Sequence, residues 1–378
     1  MKNIIIVGAG FFGVVIAERI ANDLNLPVTI IDKRNHIGGN SWSEIDSETG
    51  IEFHKYGSHI FHTSNEAVWK YIYRFTDWNK YRHTVLTTYD DEVYTMPINL
   101  GSINQYYHKA MNPETAKNFI LAEAEKGNIT NPKNLEEKAI SMIGRPLYQA
   151  FFRGYTLKQW EKDPKELPAD IITRLPVRYT YNSRYFSDKY EGIPLNGYGN
   201  IFKKMLNHKN ITVKLNVDFK EYRKSLNPQS LIIYTGAIDE FFDYQLGKLE
   251  WRTLDFEIER PHCGDFQGTA VMNYADEKIP YTRIHEFKHY HPEREDKGKK
   301  TIIFKEFSRF ASACDEPYYP VLTLNNSRLL ENYQQLGSTQ KNVVLGGRLG
   351  AYKYLDMDDT IAEALKCYNN CICPIIKS

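Results

Sequence analysis

The run Asn3-Ile4-Ile5-Ile6-Val7-Gly8-Ala9-Gly10-Phe11-Phe12-Gly13 constrains the fold more than any other part of the chain. A short apolar strand that ends in three glycines at this spacing must turn sharply into a helix. The first glycine permits the tight turn, the second lets backbone approach a pyrophosphate, and the third lets helix and strand pack closely. The spacing predicts a helix from Phe11 to Leu24 and a second strand over Val28–Ile31, ending at Asp32. That acid lies ~20 residues beyond the last glycine, where a carboxylate can accept ribose hydroxyls. A dinucleotide site follows, with helix N-terminal amides for its phosphates. The later pair Gly38-Gly39 tips the choice toward a flavin.

A chain of 378 residues has room for two or three units and a sizeable core. Its 48 basic and 47 acidic residues leave a net charge of +1, which argues against bulk attraction to nucleic acid or to an anionic membrane. An anionic ligand must then be met by local arginine clusters. No apolar run reaches the ~20 residues of a membrane span, and Lys2 leads straight into a strand rather than a signal peptide. A cytoplasmic location is expected. Five cysteines form an odd set, read as reduced thiols; the tail trio Cys367, Cys371 and Cys373 has no CxxC spacing or nearby His, so no metal is assigned.

Residues 112–152 read as helical. Asn112-Pro113 is an N-cap followed by proline at the first helical position, Asn134 and Glu137 resemble a capping box, and Pro146 opens a further helix. Beyond Pro176 the texture becomes β-rich, with alternation in Ile211–Val217 and Thr253–Ile258. The continuous apolar runs Leu231–Thr235 and Val343–Leu345 end in glycine, as buried parallel strands do, and look like returns to the nucleotide sheet. The expected fold is α/β: a discontinuous Rossmann-like FAD-binding domain (1–82, 194–247, 340–378), a helical insert (98–162), and an antiparallel β-sheet substrate domain (83–97, 163–193, 248–339). The stretch His289–Lys300 reads as a charged surface loop.

Three segments join aromatics to arginine: Phe151 through Trp160, Arg174 through Tyr185, and Tyr281-Thr282-Arg283. Stacking faces beside guanidinium forks suit a nucleotide carrying phosphates. The histidine-rich run Phe53–His62 lacks the acids of an ordinary metal site and reads as a loop near the cofactor. No GxSxG, HExxH or P-loop is present, leaving flavin chemistry on a nucleotide-like anion.

Over nearly its whole length the chain resembles the bacterial UDP-galactopyranose mutase family. The segments that carry the likeness are Lys33–Asn40, His54–Gly57, Gly57–Thr63, Gly154–Trp160, Tyr185–Asp188, Pro280–Arg283 and Asp315–Pro320. The resemblance implies an FAD enzyme, active when reduced, that interconverts UDP-galactopyranose and UDP-galactofuranose through a flavin N5-sugar adduct with no net redox. It also implies a homodimer, NAD(P)H or a reductase as electron source, and a product destined for cell-surface polysaccharide. By position, Arg174 and Arg283 match the phosphate pair, with Arg174, between Pro168 and Pro176, swinging in over the phosphates. Tyr319 and Tyr354 supply hydroxyls, while Phe151, Phe152, Tyr155, Thr156, Trp160 and Tyr185 line the nucleotide side. FAD positions match Gly8, Gly10, Phe12, Gly13, Asp32, Lys33, Gly39, Asn40, Ile60, Val217, Arg348, Tyr354, Asp356 and Met357, and His59 sits beside flavin and sugar. Relatives often carry Asn near the sugar where this chain has His83. Alternatives are an amine-oxidase-like FAD oxidoreductase, a non-catalytic flavoprotein that senses a sugar nucleotide, and a mutase that also takes UDP-N-acetylgalactosamine.

Overall fold

In the computed structural model, residues 3–172, 177–294 and 298–377 are described. Ile4–Val7 is buried at all four positions, which a strand achieves only inside a sheet covered on both faces. It pairs in parallel with Leu231–Tyr234 on one side and with Val28–Ile31 on the other. Val343–Leu345 and Ile211–Lys214 complete a five-stranded parallel sheet as its edges. The two glycine-ended runs therefore do return to the first sheet. The alternating run at Ile211 is shorter than expected: the strand stops at Lys214, and Asn216 adopts a left-handed φ of 57°. Its half-exposed alternation marks a sheet edge.

Helix Phe11–Asp23 follows the glycine turn. At Gly8 the φ of +105° and a Thr235 Oγ1 only 2.0 Å from where a Cβ would stand leave no other residue possible. At Gly13 a Cβ would lie 2.2 Å from the Gly8 carbonyl, so the helix sits directly on the turn. Val15, Ile16, Ile20, Ile30 and Ile233 are fully buried between sheet and helices, each contributing about 1.5–3 kcal/mol.

The second sheet has seven strands, in the order Tyr319–Pro320, Trp251–Glu259, Ile303–Phe310, Arg283–Glu286, Val271–Tyr274, Val85–Tyr89, Glu92–Met96. It is antiparallel except where Val271–Tyr274 meets Val85–Tyr89 in parallel. The helical region holds Leu100–Tyr106, Pro113–Glu125, Leu135–Tyr148 and Gly154–Trp160 around its own apolar cluster. Asn112 and Asn134 cap as expected, accepting from Thr115 N and Glu137 N. The capping box does not close, because the Glu137 carboxylate takes the Lys133 amide instead. Gly144, at φ 77°, breaks the long helix just before Pro146.

One surface expectation needs correction. Within His289–Lys300, Tyr290 is 1% and His291 4% exposed, because Tyr290 packs on His54 and Tyr81 and His291 meets Glu52 and Glu293. The five cysteines are free thiols.

Candidate active site

The glycine turn opens on a cavity of about 730 Å³, a size suited to a bound cofactor. Gly8, Gly10, Phe12, Gly13, Asp32, Lys33, Gly39, Asn40, His59, Val217, Arg348 and Met357 line it. The residues present fit a dinucleotide. Gly10 and Gly39 face each other backbone to backbone, and the helix starts at Gly10 without a side-chain cap, leaving its first amides for phosphates. Asp32 accepts from Ala9 N at 2.8 Å and Arg34 N at 2.9 Å. Each carboxylate oxygen keeps a second lone pair for a ribose hydroxyl.

Arg34 and Thr235 also line the cavity and were missed from sequence. Arg34 lies over the Tyr56 ring at 4.5 Å and pairs with Glu316 at 3.0 Å. Its position beside Asp32 and Lys33 was the available signal. Ile60, Tyr354 and Asp356 do not line the cavity. Ile60 packs in the core under the second sheet, while Asp356 precedes helix Met357–Cys367, 4.0 Å from His62.

At the far end, Arg348 joins this cavity to a second group of side chains. Its guanidinium donates to the Leu355 carbonyl at 2.6 Å and lies 5.2 Å from the Tyr354 ring and 5.8 Å from the Tyr319 ring. Among the described residues no carboxylate is ion-paired with it, so its charge is available to an anion. Across from it, Arg283 donates to the Tyr155 hydroxyl and lies close to Tyr319 and Tyr185. Glu306 stands 3.2 Å from Arg283 Nε, yet that buried N–H has no aligned acceptor. Burial pushes Tyr155 up to about 12 and raises Tyr319 and Tyr354 as well. All three remain O–H donors at neutral pH.

Beneath Arg283 runs a chain of hydrogen bonds. Burial opposes the charge on Glu306, but Arg283 and His285 hold the carboxylate at about 2. An ionised carboxylate only accepts, so His285 Nε2–H donates to Glu306 at 3.0 Å. Burial lowers His285 below its ordinary value, so the ring is neutral and its Nδ1 accepts from Ser58, which in turn accepts from Tyr290. Sequence reading missed this chain because Ser58 meets His285 and Tyr290 across more than 200 residues and His285 meets Glu306 on a neighbouring strand.

His59 and His83 stand on either side of this network. His59 Nδ1 pairs with the Gly57 carbonyl at 2.8 Å, so it carries the proton; burial, then Arg348, holds the ring neutral down to about 4. Its Nε2 is an acceptor at the cavity wall. His83 is 5% exposed, and its Nδ1 meets the Tyr81 hydroxyl at 2.9 Å. Burial and then Arg283 lower it to about 3. It touches Tyr185 and Phe186.

Phe152 is half-buried against the helical cluster, Thr156 is buried, and Trp160 is half-buried, its carbonyl 3.4 Å from Arg252 Nη1. Phe151 belongs to the helical core, 4% exposed with its ring 4.9 Å from Tyr94, because adjacent helical residues face different ways. Arg174 lies outside the described residues.

The profile of the UDP-galactopyranose mutase family matches residues 150–354, and that of the NAD(P)-binding Rossmann-like domain matches residues 6–75. A probable UDP-galactopyranose mutase of Klebsiella pneumoniae is 45% identical, over 97% of this chain and 93% of its own length. The chain belongs to the UDP-galactopyranose mutase family. A UDP-galactopyranose mutase of Mycoplasma genitalium is 32% identical over 96% of the chain and 93% of its own. A dTDP-fucopyranose mutase of Escherichia coli is 42% identical over 97% of each. The solved structure of a reduced UDP-galactopyranose mutase, 15% identical, shares the fold with a TM-score of 0.75 over 99% of this chain and 94% of that one. The family's members are isomerases, so the amine-oxidase-like reading is not favoured. Among the described residues no helix is long and apolar enough to cross a membrane.

Proposed function

We propose that this chain interconverts UDP-galactopyranose and UDP-galactofuranose with FAD in the glycine-lined cavity. One observation carries the reading: Arg348, which has no carboxylate partner among the described residues, stands between that cavity and the Arg283, Tyr155, Tyr319 and Tyr354 cluster. Two anionic groups, one on each side, would share this cation. Reduced FAD, when bound, supplies the nucleophile and electron pair for an exchange of ring oxygens that has no net redox.

The protein's part is to hold a diphosphate while its charge grows. Arg283, Arg348 and the three tyrosine hydroxyls offer donors that need no reorientation. Glu306 sets a negative charge 3.2 Å from Arg283 Nε, and His59 Nε2 can accept a hydrogen bond from a sugar hydroxyl while the ring stays neutral. Tyr185 and Phe152 supply stacking surface for the base, and Arg174 is proposed to close over the phosphates. The domain boundaries given above, a cytoplasmic homodimer, an NAD(P)H-linked electron source and a product used in surface polysaccharide complete the proposal.

A second substrate has a specific observation behind it, the 42% identity to a dTDP-fucopyranose mutase. Reduced holoenzyme incubated separately with UDP-galactopyranose, dTDP-fucopyranose and UDP-N-acetylgalactosamine should show the highest kcat/KM on the first. A higher value on either of the others moves the assignment to that substrate.

A further inference from the structure

Helix Gly154–Trp160 lies across the hairpin that joins Val271–Tyr274 to Arg283–Glu286. A Cβ at Gly154 would fall 2.2 Å from the Ala275 carbonyl and 3.0 Å from Glu277 N, so the two elements touch backbone to backbone. One turn further on, Lys158 reaches the same hairpin. Its ammonium donates to the carbonyls of Tyr274 at 2.6 Å, Asp276 at 2.8 Å and Tyr281 at 3.1 Å. Three N–H bonds meet three carbonyls, which satisfies the ammonium completely. Tyr155, three residues earlier and on the same helix face, takes its hydrogen bond from Arg283 on the far strand of that hairpin. The other end of the helix is held separately, with Ser308 donating to the Gln159 carbonyl at 2.9 Å and Arg252 near that of Trp160.

We propose that Lys158 is a positioning residue: by clamping this helix to the hairpin it sets the separation of Tyr155 and Arg283, and so the width of the nucleotide diphosphate site. The proposal rests on reading that site as the UDP site. A carbonyl-only partner set has a consequence for pH. Burial lowers Lys158 to about 8, opposed only by Asp276. The other charges packed here do not replace it, because Glu277 is paired with Arg153 and Tyr274 stays protonated to about 12. The clamp therefore loses its charge as pH rises through about 8, within reach of a binding experiment.

The test is calorimetric titration of the FAD-loaded protein with UDP, from about pH 7.5 to about pH 8.7, above the last ionisation of the diphosphate and below that of the uracil N3–H. At the lower pH Lys158→Met should bind UDP about tenfold more weakly than wild type, the share of one charge-assisted hydrogen bond. It should then show no further loss. Wild type should weaken by about threefold across the range as Lys158 loses most of its charge, and Lys158→Arg, which keeps its charge, should not. FAD content should be the same in all three. Equal binding by Lys158→Met and wild type, or an equal high-pH loss in wild type and Lys158→Arg, overturns the clamp. Should Lys158→Met fail to fold, the latter comparison decides alone. Absence of UDP binding by wild type overturns the nucleotide reading itself, and the clamp's role with it.

Discussion

Gly154→Ala isolates the substrate side of the site from the flavin side. The new methyl group would stand 2.2 Å from the Ala275 carbonyl oxygen, against an ordinary contact of about 3.5 Å. That oxygen, the nearest obstacle, is backbone and cannot swing aside, so helix and hairpin must part by about 1 Å, and Tyr155, the next residue, is carried away from Arg283. Alanine strengthens a helix relative to glycine by about 1 kcal/mol, so the helix itself is not weakened and the loss is one of placement. A 1 Å misplacement costs about 100-fold in rate, while overpacking costs about 1–3 kcal/mol of stability. The assay is kcat/KM for conversion of UDP-galactofuranose by dithionite-reduced enzyme, with FAD absorbance measured on the same sample. Gly154 does not line the cofactor cavity, so FAD should be retained. A kcat/KM within about threefold of wild type would refute the idea that helix-to-hairpin spacing governs the site.

Gly8→Ala should do the reverse. It places a Cβ 2.0 Å from Thr235 Oγ1 at a φ of +105°, and the purified protein should be colourless by absorbance; normal FAD content would show that the turn is not the cofactor's mount. Arg283→Ala should lower kcat/KM by about 100-fold or more with FAD still bound, and loss of flavin would show that the two sites are not separate. Buried His54 and His83 are both held at about 3, below the ordinary 6.5, so the unfolded chain takes up their protons first as pH falls. Each should withdraw about 1.4 kcal/mol of stability per pH unit below about 6.5. Thermal melts should show a shallower acid decline for His83→Asn than for wild type, and an unchanged slope would contradict the assignment.

The first sheet was readable because its signals are local. Strands buried on both faces show as unbroken apolar runs at Ile4–Val7, Leu231–Tyr234 and Val343–Leu345, and the glycine spacing fixed the turn between strand and helix. Signals fade where an element is marginal. Ile211–Lys214 is an edge whose pattern resembles any half-exposed strand, and Tyr290 and His291 looked like loop residues because their burial depends on His54, Tyr81 and Glu52 far away in sequence. Within the site, residue types were legible while their partners were not. Arg283 was visible, but the Glu306, His285, Ser58 and Tyr290 chain beneath it exists only once two strands, a loop and a short helical turn meet. Phe151 and Phe152 are indistinguishable in composition, and only the helix's orientation sends one into the core. Lys158 looked like an ordinary helical lysine until the hairpin carbonyls were in place.

The central claim is that a flavin site and a nucleotide-diphosphate site cooperate in a rearrangement without net redox. Reduced holoenzyme given excess UDP-galactofuranose should return many equivalents of UDP-galactopyranose while the flavin stays reduced and no further dithionite is consumed. Flavin oxidation in proportion to substrate turned over, or UDP binding with no sugar rearrangement at all, would contradict it.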